Sequence, residues 1–505
     1  MDRSMATPQT GPICLVIPPS PFLLDQRVFM SLGVLKVAAV LEQQGYTVEV
    51  VDLSGIDNYE LAIGDHARSS RARIFGISAT TPHMPATVKI SNAIRTAQPQ
   101  SKIILGGPHV TLVHTAFRRE KSLGTPGRAT QTFARLTDLF DVLVAGDGEE
   151  AVFTAIGEGS PQVIDADDPK SELFQTNEKL NRMPFPARHL VDVESYHYTI
   201  EGVRALSLIA QLGCPFACGF CGGRESPSLR RVRIRNTESI IREMAEIYTD
   251  HRVTGFMFYD DELNVSPKMI ELMNGIENLQ HDLQTTFRLR GFIKAQLFTD
   301  DQARAMYRAG FRWILTGFES GSPRILENIN KKSTREENCR CIEIAKRHGL
   351  KVKALMSIGH PGESKETVMQ THDWLLETQP DDFDVTIITT YPGTPYYDHA
   401  VPHPAEPDTW IYTYPATGDR LYCYAVDYNQ VADYYKGDPT GGYRSFVYTD
   451  YLTADELVSL RDFLERDIRK RLNIPFNPSA AAIRYEHSMG QSGTGLPSYI
   501  LRRSK

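Results

Sequence analysis

The chain has 505 residues, 41% of them hydrophobic and 23% charged, with a formal net charge of −7. Such a length implies roughly two to four domains rather than one core, and the modest negative charge removes any general attraction to nucleic acid or an anionic membrane. No stretch reaches the roughly 20 apolar residues that span a bilayer, and the N-terminal residues lack the basic and apolar run of a secretory signal, so a cytoplasmic protein is expected.

In chain order, Ile13-Cys-Leu-Val-Ile17 reads as a strand, and Gly33-Val-Leu-Lys-Val-Ala-Ala-Val-Leu41 as a helix closed by Gly45. Thr47–Asp52, Ile74–Ser78, Lys102–Leu105 and Asp141–Ala145 continue the strand pattern, with helical segments near 85–97 and 149–156. Strands apolar on both faces and separated by helices predict a doubly wound parallel sheet over residues 1–157. Ligands of such sheets sit beyond the carboxyl ends of the strands. Those ends carry Ser78-Ala-Thr-Thr81, Gly106-Gly-Pro-His109 and Gly146-Asp-Gly-Glu149, whose small residues admit close approach of a large planar ligand.

Residues 158–204 are polar and proline-containing and read as a linker. From 205 to 400, six strand patterns begin at Ser207, Gly255, Arg288, Trp313, Lys353 and Asp384, and helical patterns lie between them. This order predicts a partial, open β/α barrel. Residues 401–505 form an accessory region with ten of the 22 tyrosines between Tyr412 and Tyr451. Thr453-Ala-Asp-Glu456 is a capping box opening a helix with Leu457, Leu460, Leu464 and Ile468 on one face. The region is expected to be small and mainly helical, with a loosely ordered tail from Pro475.

Three of the seven cysteines lie in Gly213-Cys-Pro-Phe-Ala-Cys-Gly-Phe-Cys-Gly222, directly after the first barrel strand. A tight loop with this spacing aims three thiolates at one point. Three ligands leave one iron of a 4Fe–4S cluster open, and open coordination keeps a metal site reactive. A structural zinc site is the alternative; it needs a fourth ligand, and neither a second CxxC nor a nearby HxxxH supplies one. The basic run Leu229-Arg-Arg-Val-Arg-Ile-Arg235 reads as a solvated face or, alternatively, as a phosphate site, with Arg230, Arg231 and Arg233 placed to meet an anionic substrate.

The CxxxCxxC loop with Phe220 before its last cysteine resembles the radical S-adenosylmethionine (SAM) superfamily, and later segments match in order. Gly317-Phe-Glu-Ser-Gly321, Ser357-Ile-Gly-His-Pro-Gly-Glu363, Tyr391-Pro-Gly-Thr-Pro-Tyr-Tyr397 and Tyr259-Asp-Asp-Glu262 resemble the family's strand-end segments. The resemblance implies that Cys214, Cys218 and Cys221 hold a 4Fe–4S cluster, and that Phe220, Glu319, Ser320, Gly359 and Gly362 contact SAM. The first region, with Ser31-Leu-Gly-Val-Leu35 and the strand ends above, resembles the cobalamin-binding branch of that superfamily, methyltransferase-like (class B). This implies cobalamin held by Ser78, Thr80, Gly106, Gly107, Gly146 and Glu149. No DxHxxG motif is present, so His83 and His109 read as loop residues rather than cobalt ligands.

The chemistry implied is cleavage of SAM to a 5′-deoxyadenosyl radical and methylation of an unactivated carbon of a small molecule, fed by an external electron donor such as flavodoxin or ferredoxin. A radical cyclisation or rearrangement without methyl transfer is the alternative, and a non-catalytic corrinoid or metal sensor a remoter one. The tyrosine-rich stretch reads equally as a cavity lid and as a packing layer.

Overall fold

The computed structural model describes residues 11–20, 23, 26–435 and 442–475. The tail past 475 and the first ten residues, on which the tail and signal-peptide expectations fall, lie outside them.

The first domain is a six-stranded parallel sheet in the order β2-β1-β3-β4-β5-β6. Its strands are β1 (Ile13–Ile17), β2 (Val48–Asp52), β3 (Ile74–Ser78), β4 (Lys102–Gly106), β5 (Val142–Ala145) and β6 (Val163–Asp165). Helices α1 (Leu32–Gln43) and α6 (Gly148–Ile156) cover one face. α2 (Tyr59–Ser69), α3 (Met84–Ala97), α4 (Pro108–Leu123) and α5 (Arg128–Leu139) cover the other. α1 ends as predicted: Gly45 takes φ +83°, Gly45 N–H donates to the Glu42 carbonyl and Tyr46 N–H to that of Leu41, which is the paired bonding of a Schellman cap. Strand order reverses between β1 and β3, which places the ligand crevice at their carboxyl ends.

Residues read as linker do more than connect. β6 lies within them and completes the first sheet, and α7 (Asn177–Arg182) comes next. β7 (Thr199–Ile200) then pairs antiparallel with the first barrel strand.

The second domain contains a seven-stranded sheet, β15-β14-β13-β12-β11-β8-β7. β8 (Val203–Leu208), β11 (Gly255–Phe258), β12 (Arg288–Phe292), β13 (Phe311–Glu319), β14 (Lys351–Ile358) and β15 (Asp382–Ile387) are its six parallel strands. The short strands β9 (Gln211–Leu212) and β10 (Arg233–Ile234) pair antiparallel on either side of the cysteine loop, with α8 (Pro227–Arg230) between them. α9 (Thr237–His251), α10 (Met269–Asp282), α11 (Asp300–Ala309), α12 (Pro323–Asn328), α13 (Arg335–Arg347) and α14 (Lys365–Thr378) connect the strands. The starts of α11, α13 and α14 are set by capping boxes at Thr299, Thr334 and Ser364.

After α15 (Pro395–Asp398), the C-terminal region contains the expected long helix, α16 (Ala454–Leu472), and adds a four-stranded antiparallel sheet. The strands of that sheet are β16 (Val401–Pro402), β17 (Thr409–Thr413), β18 (Arg420–Tyr424) and β19 (Val447–Thr449). α16 covers the open edge of the barrel sheet: Val385 N–H donates to Glu465 (2.6 Å) and its carbonyl accepts from Arg461 (3.1 Å). An uncovered edge would expose unpaired backbone groups. Several tyrosines of this region pack or bond internally. Tyr443 OH accepts from Ile387 N–H, Tyr428 OH donates to the Thr390 carbonyl, and Tyr422 stacks on its cross-strand partner Tyr448 at 4.6 Å. No helix among the described residues is long and apolar enough to cross a membrane.

Candidate active site

The cysteine loop is fastened from several directions. Gly213 takes φ +86°, and a β-carbon there would lie 2.1 Å from the Arg231 carbonyl oxygen, so only glycine lets the loop start against α8. Cys214 N–H donates to the Leu229 carbonyl. The acidic end of β11 holds the other side. Asp260 accepts from the backbone N–H groups of Ala210 and Gln211, and Asp261 accepts from that of Gly213 at 3.0 Å. Arg224, 7% exposed, donates to the Phe216 carbonyl.

The three cysteines are free thiols. Burial pushes the Cys221 thiol up to about 12 and raises that of Cys214 as well. Positive charge surrounds the loop: Arg224, Lys331 and Lys294, whose ammonium sits 4.2 Å from the Phe216 ring centre. Three thiols on one loop, facing buried cations that offset thiolate charge, fit an iron–sulfur cluster with an open iron.

Beside the loop, Glu319 ends β13 at a bulge, in the left-handed region at φ +67°. Strained non-glycine backbone of this kind gathers at functional sites. Its carboxylate accepts from Lys331 and from Ser357 Oγ, both at 2.7 Å. Burial opposes its ionisation, yet Lys331 and Ser357 hold it below the ordinary glutamate range. Ser357 also contacts His360 Nε2 (2.8 Å), and the His360 ring meets Phe220 edge-on at 5.3 Å. Burial pushes His360 down to about 4 and Glu262 up to about 7. Tyr259, just past the end of β11, keeps 43% of its surface accessible.

Other expected SAM contacts have structural duties. Ser320 is 1% exposed, and its hydroxyl joins Thr371 Oγ1 (3.0 Å) and accepts from Ser322 N–H. A β-carbon on Gly359 would meet Ile387, Val447 and Leu457, and one on Gly362 would lie 2.5 Å from Asp419, so both glycines serve turns packed against other chain segments rather than an open face. Sequence reasoning missed Lys294, Lys331 and His360, because burial of a lone lysine or histidine is a tertiary property without a local pattern.

In the first domain a cavity of about 320 Å³ lies between α1, α6 and the sheet. Ser78, Gly106, Gly107, Gly146 and Glu149 line it, as do Leu212 and Leu229 of the second domain. Thr80 lies outside this lining, and its hydroxyl bonds His83 Nδ1 at 2.8 Å at the start of a short turn. Burial pushes His83 down to about 4 and His109 to about 3; His83 bonds Thr80 and Ser20, and His109 bonds Thr81. The mostly apolar wall and its glycine-rich rim fit the insertion of a cofactor's planar tail.

The two domains are packed against each other beside the cysteine loop. Leu112 of α4 packs against Gly222 of the cysteine loop and Gly393 after β15. Asp167, just after β6 and 1% exposed, accepts from Ser226 Oγ (2.7 Å) and Ser228 N–H (2.8 Å) at the start of α8. Most arginines of the basic run are engaged with protein groups, one of them across the seam. Arg233 pairs with Asp147, Arg235 with Glu243 (2.6 Å), and Arg230 bonds the Arg224 and Pro215 carbonyls at 3.0 Å. Only Arg231 is exposed.

Fold and site define a two-domain α/β enzyme in which a barrel bearing a three-cysteine loop is docked on a doubly wound domain. The radical SAM superfamily model matches residues 208–375 and the B12-binding domain model residues 27–137. An uncharacterised methyltransferase of Pyrococcus horikoshii is 27% identical over 77% of this chain and 83% of its own. The anaerobic magnesium-protoporphyrin IX monomethyl ester cyclase of Rubrivivax gelatinosus is 24% identical over 70% of this chain and 63% of its own. The fold is shared with TsrM of Kitasatospora setae, a radical SAM methyltransferase solved with cobalamin and a 4Fe–4S cluster; the TM-score is 0.64 at 17% identity, over 91% of this chain and 92% of that one. The chain belongs to the cobalamin-binding radical SAM family, methyltransferase-like, and its cofactors are a 4Fe–4S cluster, SAM and cobalamin.

Proposed function

We propose that the protein methylates an unactivated carbon of a small molecule. The observation that supports this reading is Leu229, which lines the first-domain cavity while its carbonyl accepts from Cys214 N–H, so that the cavity and the cysteine loop adjoin. The bound cofactors supply one-electron cleavage of SAM and a carrier for its methyl group.

The chain's part is placement. Cys214, Cys218 and Cys221 hold the cluster, with Asp260 and Asp261 fixing the loop backbone on which they sit. Glu319 and Lys331 present opposite charges to the zwitterionic amino-acid end of SAM, while Phe220 flanks it. Ser78, Gly106, Gly107, Gly146 and Glu149 bound the corrinoid cavity. The interdomain packing would limit water in the space between the two sites when the cofactors are bound. An external flavodoxin- or ferredoxin-type donor supplies the electron.

The cyclase relative supports a second reading, radical chemistry without methyl transfer. The test is anaerobic reconstitution with cobalamin, then incubation with reductant and SAM labelled on its methyl group. About four irons and one cobalt per chain, with label recovered in the corrinoid fraction, is the expected result. Deoxyadenosine with cobalt bound but no label transferred would favour the second reading, and four irons without cobalt would overturn the methyltransferase.

A further inference from the structure

The cavity in the first domain is walled by apolar side chains such as Ile13, Leu15, Ile74, Ile104 and Val144, yet three charged residues reach it: Lys36, Asp147 and Glu149. Asp147 is committed to Arg233 across the domain seam. The other two are different. Lys36, on α1, and Glu149, in the first turn of α6, are each 7% exposed. Among the described residues neither side chain forms a hydrogen bond or an ion pair, with the other or with anything else.

Burial lowers the pKa of Lys36, and the negative charges of Glu149, Glu243 and Asp147 pull it back. Withdrawing a charge from water without a partner is costly, and native interiors avoid it unless something else completes the bonding. Two such groups of opposite sign on one apolar cavity specify a ligand with three properties: a flat apolar body, an acceptor for an ammonium, and a hydroxyl donor for a carboxylate. A nitrogen heterocycle joined to a sugar has all three. Corrinoids carry such a unit as their lower nucleotide, and it can enter a protein cavity only when detached from cobalt.

Resting on the cobalamin reading above, the geometry points to Lys36 and Glu149 as the pair that reads the corrinoid's lower nucleotide, Lys36 donating to the free ring nitrogen of the base and Glu149 accepting from the ribose. The pair thereby selects corrinoids with a heterocyclic lower base over those with a phenolic base, which has no ring nitrogen, or with no nucleotide. In sequence, Lys36 is the one charge inside the apolar run Val34–Leu41, a position that solvation does not explain.

The experiment is anaerobic titration of the full-length, cluster-reconstituted protein with hydroxocobalamin, a phenolic cobamide and cobinamide, which lacks the nucleotide. Wild type is expected to bind hydroxocobalamin about tenfold more tightly than either of the others, the scale of one hydrogen bond to a charged group, with the absorption spectrum of the base-off form. Lys36→Met should erase that preference by weakening hydroxocobalamin alone, and Glu149→Gln should weaken both nucleotide-bearing corrinoids but not cobinamide. Unchanged cobinamide affinity reports that each variant keeps its fold. Equal binding of all three by wild type, or equal loss of all three in Lys36→Met, would overturn the inference while leaving a corrinoid enzyme standing. Failure of every corrinoid to bind would overturn the cobalamin reading itself.

Discussion

The side chain that decides most at the cysteine loop is Glu319. It holds a left-handed backbone position and shares its carboxylate between Lys331 and Ser357. Lys331 is 6% exposed, so neutralising Glu319 leaves a buried ammonium uncompensated. Breaking one partner of a buried pair costs about 3–5 kcal/mol, whereas replacing both by apolar groups is often close to neutral. Glu319→Gln should therefore lower the urea midpoint strongly, and adding Lys331→Met should recover most of the loss. SAM binding, read by calorimetry on the reconstituted protein, should stay lost in both variants if the pair holds the amino acid. Recovery of SAM affinity along with stability would show that the pair is only structural.

At the level of elements, the loop between β14 and α14 shows how burial writes pH dependence into the fold. Glu363 is 1% exposed, accepts from Gly359 N–H and Thr367 Oγ1, and is pushed by burial up to about 7. Unfolded, a glutamate titrates near about 4.3. Between these values the folded state holds a proton that the unfolded chain has released, so this group's contribution to stability falls as pH rises through the window. Glu363→Gln cannot ionise; its urea-derived stability should fall between pH 5 and pH 8 by about 1–3 kcal/mol less than that of wild type. An equal pH slope in both proteins would place the proton elsewhere. The same elements show what is legible from sequence. The barrel strands and helices could be read because apolar runs and the capping box at Thr453 are local signals. β6 could not, since three residues in a polar stretch, Val163–Asp165, become a strand only beside β5. α4 was hidden behind Gly106-Gly-Pro-His109, which reads as a loop although its proline opens the helix. The local bonds of Ser320 and Thr80 were not legible, because a strand-end hydroxyl has the same sequence signature whether it meets a cofactor or ties its own turn.

At the scale of the whole molecule, one place where the two domains pack is Leu112 against Gly222 and Gly393. Gly393 takes φ +84°, and a β-carbon there would lie 2.7 Å from the Leu112 side chain. Gly393→Ala should cost about 1–3 kcal/mol through strain and overpacking, and Leu112→Ala about 2–5 kcal/mol through the void it leaves. The double variant, measured by the same denaturation, should lose at least about 0.5 kcal/mol less than the sum of the two, because the clash disappears with the leucine. Strict additivity would mean that the seam is looser than the packing indicates. The shared cavity wall also bears on how the protein is made. Leu212, Ser228 and Leu229 belong to the second domain, and Asp167, just past β6, ties the first domain to the start of α8. While the ribosome is still extending the chain past the first sheet, the pocket lacks one side. A chain that stops short of the cysteine loop therefore leaves the pocket open on the side that Leu212, Ser228 and Leu229 close.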